Sequence, residues 1–433
     1  MSMPISVTRR DFLRASAAAG GVIATSSFFA GAISAQDKKT AVRARNSKIK
    51  HVILLFMEGG PSQLETFDLK PGKETGAPYK EIETEVPGFR PAEHFKEIAK
   101  RAGDLCLIKS MSSKEGNHSR ASYLLRTGYI PNPTLKHPSL GSIIAHQMGD
   151  PNFELPNFVK LRGAPFPAGY LGVQNNPFVI SRPGAKIENL DYAKGVDKER
   201  MDRRMKLVKE MEKDFAKERG DEAVEAHKAM YEKARALMDS PLRKKFYLED
   251  EPDEIRKEYG EGGFADSCII ARRLVETGVP AVEITLGGWD THDDGFKRCG
   301  ELIGQLDRPW AALINDLKRR GLYDSTLVIW MGEFGRTPKL TNTEGRGHWP
   351  GNFCAVLGGG GIKTGQVIGE TDELGYNRDA KGNSTLKDPV SPADLYRTLG
   401  TMMDWEMSKE FEAGNRPVWL VDKESKVVEK LYK

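Results

Sequence analysis

Cysteine is scarce in this 433-residue chain, and no CxxC pair occurs among the four residues present. Cys106, Cys268, Cys299 and Cys354 are far apart, which argues against a zinc ribbon. Cys106 and Cys268 sit in apolar runs and read as buried free thiols, although an oxidising periplasm would permit disulfides. An excess of one charge is lacking too: the formal net charge is +4, and residues 1–35 supply +2 of it through Arg9, Arg10 and Arg14 against Asp11. The remainder is close to neutral, so nothing points to nucleic acid as a partner. Beyond the N-terminal stretch no apolar run reaches membrane-spanning length. Redox cofactor chemistry finds no CxxCH or dinucleotide fingerprint. The run Gly358–Gly361 lacks the Lys-Ser/Thr and the helix of a phosphate loop, and no internal repeat is visible.

What is present begins at the N-terminus. VTRRDFLRA places Arg9 and Arg10 ahead of a weakly apolar, Ala- and Gly-rich stretch that runs to Ala30-Gly31-Ala32 or Ser34-Ala35. A twin-arginine pair, a short apolar region and a small-residue cleavage site predict a Tat signal over residues 1–35, with the Tat export machinery as a partner and a periplasmic or otherwise exported location. The mature domain is expected from about residue 45 to residue 433.

Apolar, β-branched runs predict strands: KHVILLFMEGG (Lys50 to Gly60), Leu105 to Ile108, LPNFVKL, NPFVI, AVEITL, TLVIW and FCAVLGG. PSQLETFDLKPG reads as a loop. Helices are expected over Phe95 to Ala102, after an N-cap at Ser139 with Gly149 closing, over Ala265 to Gly278, over Cys299 to Gly321, and after Ser391-Pro392. The segment from Cys299 to Gly321 joins AVEITL to TLVIW as a β-α-β crossover, the unit of parallel sheets. A charged stretch at about 195–258 reads as a helical insertion, with Met201, Met205, Val208, Met211 and Phe215, then Val224, His227, Tyr231, Ala234 and Met238, recurring at helical spacing. His227 falls on that apolar face and reads as a packed residue, not a ligand. One α/β domain follows.

The chemistry gathers after the strands. In GGWDTHDDGF (Gly287 to Phe296), Asp290 and His292 are two apart, so on an extended segment they point the same way and could hold one metal. If the segment begins a helix, Asp290 and Asp294 share a face instead, with Asp290 or Thr291 as N-cap. In MGEFGRTP, Glu333 ends a strand and could ligate a metal while Arg336 grips an anionic oxygen, or the two could form an internal salt bridge. GRGHWP offers His348, and FMEGG places Glu58 at the end of the first strand. Asn117 and His118 precede a helix expected from near Ser119, whose positive end suits anions. His118 is a general acid, base or nucleophile in one reading and a capping or surface residue in the other. Carboxylates and imidazoles from separate loops form a donor set for a divalent metal: zinc, calcium, magnesium or manganese.

GGPSQLETFD, HPSLGS, GWDTH, GEFGRTP and GRGHWP, in this order behind a twin-arginine signal, resemble the DUF1501 family, which is grouped with the alkaline-phosphatase-like, sulfatase-like superfamily. The resemblance implies a three-layer α/β sandwich, with a mixed, mostly parallel sheet between helices and a metal site at the strand ends. It also implies hydrolysis of sulfate or phosphate esters. Position by position the match is partial. Glu58 stands where such proteins carry a first-strand Asp, and Ser119-Arg120 and Thr127-Gly128 resemble part of the sulfatase signature. Gly116 stands where the modified Cys would be, which excludes a formylglycine mechanism. Glu333-Phe334-Gly335 replaces Asp-His-Gly and loses one imidazole, while His348 fits the late histidine.

Two functions are therefore expected. The first is an exported, metal-dependent hydrolase acting on an anionic small-molecule or polysaccharide ester, with Glu58, Asp290, His292, Glu333 and His348 toward the metal and His118 and Arg336 catalytic. The second is a non-catalytic periplasmic binding or assembly protein on a degenerate form of the same fold.

Overall fold

The computed structural model describes residues 47–188, 190–219, 221–413 and 416–433, with backbone alone for 209, 211–219 and 221–229. The proposed export signal, Gly220, and the side chains of Met211, Phe215, Val224 and His227 lie outside the described residues.

Eight strands form one sheet. They are β1 (His51–Met57), β2 (Leu105–Met111), β3 (Phe158–Leu161), β4 (Phe178–Ile180), β5 (Ala281–Leu286), β6 (Thr326–Gly332), β9 (Phe353–Gly359) and β10 (Gln366–Ile368), in the order β10-β2-β9-β6-β1-β5-β3-β4. A separate two-stranded hairpin pairs β7 (Gly335–Leu340) with β8 (Arg346–Trp349). β1 lies between β5 and β6, parallel to both, with Val52 opposite Ala281 and Leu327. β9 runs antiparallel to its neighbours β2 and β6, so the sheet is mixed and mostly parallel.

Apolar alternation along β1 divides the core. Ile53, Leu55 and Met57 face a cluster with Ile270 and Leu274 of the helix Gly263–Thr277 and Ile303, Trp310 and Leu313 of the helix Gly295–Arg319. Val52, Leu54 and Phe56 face the other cluster, with Leu125 of His118–Thr127, Ile143 of Leu140–Met148 and Leu399 of Pro392–Met402. Helices thus cover both faces, as a sheet of continuously apolar central strands requires. Helices also run over Lys198–Arg219 and Asp221–Asp239 in the charged stretch. All four cysteines are free and buried. Among the described residues no helix is long and apolar enough to cross a membrane.

Three local readings change. The stretch expected as a loop after β1 contains a short helix, Gln63–Thr66, in which every residue is buried. The helix at His118–Thr127 is capped by Asn117, whose side chain accepts from the Arg120 N–H, so Ser119 lies inside it. The helix after the GGWDTHDD loop begins at Gly295 with Asp294 as N-cap, which leaves Asp290 and Thr291 in the loop before it.

His137 packs behind the helix His118–Thr127. The Tyr123 hydroxyl accepts the His137 N–H at 2.7 Å and faces the ring Nδ1 at 2.9 Å, while Tyr129 stacks on the imidazole at 4.1 Å. Burial holds this imidazole down at about 4 against an ordinary 6.5. Between those values the unfolded chain binds a proton that the folded chain refuses, so the stabilisation is complete above pH 6.5 and falls as pH drops through the window. Urea midpoints measured from pH 7 to pH 4 are expected to show the wild type losing up to about 3 kcal/mol relative to His137→Gln.

Candidate metal centre

The loops after β1, β5 and β6 and the helix after β2 meet at one end of the sheet, and the hairpin β7–β8 closes over them. Two glycines permit the approach. A Cβ on Gly59 (φ +115°) would stand 2.4 Å from the Asp290 nitrogen, and one on Gly345 would lie 1.8 Å from the His292 carbonyl oxygen. The hairpin clasps the loop by backbone bonds: Asp294 N–H to the Thr343 carbonyl, Gly295 N–H to that of Glu344, and Arg346 N–H to that of Thr291. His292, on the β5 loop, and His348, on β8, are thereby brought face to face.

Four side chains converge. His118, Asp290, His292 and His348 each offer one ligand atom, and these atoms all lie within 4.8 Å of one another. Asp290 Oδ1 is the focus: the Nε2 atoms of His118, His292 and His348 lie 3.2, 3.1 and 3.5 Å from it. Asp290 and His292, two apart in the loop after β5, meet at 3.1 Å. Both are about half exposed, so the cluster opens to solvent.

Hydrogen bonding orients the rings. His348 Nδ1 lies 2.8 Å from the Gly116 carbonyl, which can only accept, so that nitrogen carries the proton and Nε2 presents a lone pair. His118 Nδ1 donates to Glu333 Oε1 at 2.8 Å, an oxygen that also accepts the Gly59 N–H at 2.8 Å. A metal-binding imidazole whose other nitrogen donates to a carboxylate or a carbonyl is a recurring arrangement. The Glu333 bond raises the His118 pKa above its ordinary value against the effect of burial. Burial lowers that of His348. At Asp290 partial burial pushes the pKa up, but the Arg336 hydrogen bond and the nearby positive charge outweigh it and hold the carboxyl down at about 2.

This geometry fits a cation. His118 Nε2 is buried and makes no hydrogen bond despite its 3.2 Å approach to Asp290. His292 Nε2 and His348 Nε2 face each other at 3.0 Å. Ligand atoms gathered beside a carboxylate oxygen form a donor set for a divalent ion, here three imidazoles and one carboxylate.

The remaining residues singled out in the sequence lie elsewhere. Glu333 is fully buried behind His118 and fixes its ring. Glu58 points away from the four ligand atoms, its Oε1 3.9 Å from an Arg126 nitrogen. Arg336 is fully buried beneath Asp290, with a 2.6 Å bond to Oδ1. Its other bonds go to the carbonyls of Gly59, Gly60, Trp289 and Arg346, and its complete burial keeps the guanidinium from a substrate anion. Phe334 lies beside the cluster, its ring 5.0 Å from His118 and 4.7 Å from His348.

Comparison with known proteins sets this site in context. Solved structures with a similar chain course include the lipoteichoic acid synthase LtaP from Listeria monocytogenes (8% identity, 88% of this chain and 78% of that one, TM-score 0.39). They also include the PsFucS1 sulfatase from Pseudoalteromonas sp. (15% identity, 83% and 69%, TM-score 0.35). A third is a protein in the alkaline phosphatase superfamily from Vibrio parahaemolyticus (10% identity, 84% and 68%, TM-score 0.36). No curated protein matches the chain. A family model described as "Protein of unknown function (DUF1501)" matches residues 49–432, and the chain belongs to that family.

Proposed function

We propose that this protein is a metal-dependent hydrolase of sulfate or phosphate esters, in which His118, Asp290, His292 and His348 hold one divalent ion. The observation that carries the reading is the convergence of four ligand atoms within 4.8 Å at the strand ends, with His118 Nε2 buried and unbonded. Three imidazoles favour a late first-row ion such as zinc over manganese, calcium or magnesium. A bound divalent ion supplies Lewis acidity toward an ester oxygen and lowers the pKa of water.

The chain's own residues set the stage for that chemistry. Glu333 keeps the His118 proton on Nδ1, so Nε2 faces the centre. Gly116 does the same for His348 through its carbonyl. Arg336 fixes Asp290 Oδ1 and holds the carboxyl ionised across the physiological range. Phe334 places an apolar ring beside two of the imidazoles, where it limits water on that side.

Two observations favour the second reading, a binding protein without turnover: Gly116 lines the site where a nucleophile is expected, and Arg336 is buried out of reach of an anion. Elemental analysis and assays with an aryl sulfate and an aryl phosphate separate the two. The hydrolase reading expects about one transition ion per chain and turnover that chelation removes and added metal restores. Bound metal with no turnover across several ions would leave only the binding role. Absence of both metal and turnover would end the first reading altogether.

A further inference from the structure

Since Arg336 is spent internally, the anion-binding group must be sought elsewhere, and Arg126 answers the description. It lies two turns after His118 on the helix His118–Thr127. Its side chain is only 6% exposed, with Nε donating to Glu283 Oε1 at 3.0 Å and the guanidinium 3.7 Å above the Phe56 ring. Lys160 is fully buried, pairs with the same Glu283 oxygen and donates to Thr285 Oγ1 at 3.0 Å. One buried carboxylate therefore faces two cationic side chains.

The next acid is Glu58, 48% exposed, whose Oε1 stands 3.9 Å from an Arg126 terminal nitrogen, beyond hydrogen-bonding range. Arg126 is thus anchored through Nε, held by a ring, and turns its terminal N–H groups toward a carboxylate that is free to leave. A rigid planar fork of this kind recognises carboxylate, sulfate or phosphate by paired bonds. The seat adjoins the metal centre, since Glu58 leads directly into Gly59, whose N–H holds Glu333 behind His118.

We propose that Arg126 receives an anionic group of the substrate, and that Glu58 is the carboxylate that occupies this seat until the substrate displaces it. The guanidinium is tied to Glu283, three residues or about 10 Å before the end of β5, whereas the four ligand atoms gather beyond that end, so Arg126 and the metal centre meet different groups of a substrate. The seat therefore takes a second anion, and the substrate class narrows to polyanions: sugars or polyols with at least two sulfate, phosphate or carboxylate groups. The word substrate rests on the hydrolase reading, whereas the anion seat does not.

The test uses the mature chain stripped of metal, with inorganic sulfate and, separately, inorganic phosphate as probes in calorimetric titration. Removing the competing carboxylate in Glu58→Gln is expected to tighten binding at least about tenfold over wild type. Combining it with Arg126→Lys, which keeps charge but not the fork, is expected to abolish the gain. A Glu58→Gln protein that binds no tighter than wild type overturns the proposal, as does a double variant that keeps the full gain. Should the double variant fail to fold, the half-exposed Glu58 position decides alone. Enhanced anion binding in a protein with no ester turnover under any metal would bring down the hydrolase reading and leave the seat. Turnover with no Glu58→Gln effect would do the reverse.

Discussion

His292→Ala is expected to abolish tight binding of the proposed divalent ion while leaving the fold in place. The imidazole is about half exposed, and apart from the ring contact with His348 the bonds His292 makes to the hairpin are accepted by its carbonyl, which alanine keeps. Stability of the metal-free variant should therefore stay within about 0.5 kcal/mol of the metal-free wild type. Metal affinity should fall about a hundredfold or more, because one of four donors is lost and no neighbouring group replaces it. Calorimetric titration with zinc and with manganese measures the affinity, and ester turnover should fall at least as far. Retention of metal at wild-type affinity would remove His292 from the centre and with it the proposed ligand set. The position is more informative than Asp290, whose loss would also leave Arg336 without its carboxylate partner and so mix stability with binding.

The sheet was largely legible from the residues. Long apolar runs such as HVILLFM and TLVIW suit central strands buried on both faces, and the crossover between AVEITL and TLVIW makes those two parallel, although nothing in it says that β1 lies between them. The hairpin β7–β8 gave no comparable signal, because GRTPKL carries Gly335 and Pro338, residues that weaken a strand pattern. Yet this hairpin delivers His348 to the loop that carries Asp290 and His292. The residue types of the candidate centre were readable, but their layering was not. Glu333 and His118 both looked like site residues, and nothing in the spacing says that one stands behind the other. That order follows from Gly59, which can lie against the Trp289–Asp290 backbone only because it lacks a side chain, and from there gives its N–H to Glu333. Lys160 was hidden for a similar reason: in FVKL it reads as an outward-facing position, whereas β3 lies inside the sheet and its ammonium meets Glu283.

Arg336→Lys is expected to be the most destabilising of these conservative changes, although sequence reading made this arginine a catalytic one. The guanidinium is fully buried and bonds the carbonyls of Gly59, Gly60, Trp289 and Arg346 together with Asp290, so it joins the β1 loop, the β5 loop and the hairpin at a single point. A lysine ammonium has three donors on one nitrogen and cannot reach acceptors spread around a planar fork. It would leave buried carbonyls unpaired, each costing about 1–3 kcal/mol. The expected loss is about 3–5 kcal/mol, read as a lower urea midpoint at unchanged slope. Metal affinity should fall with it, since Asp290 loses the contact that fixes Oδ1 among the three imidazoles. A loss under about 1 kcal/mol would show that the three loops hold their places without the arginine, and the account of how His118, Asp290, His292 and His348 are brought to one focus would then need another cause.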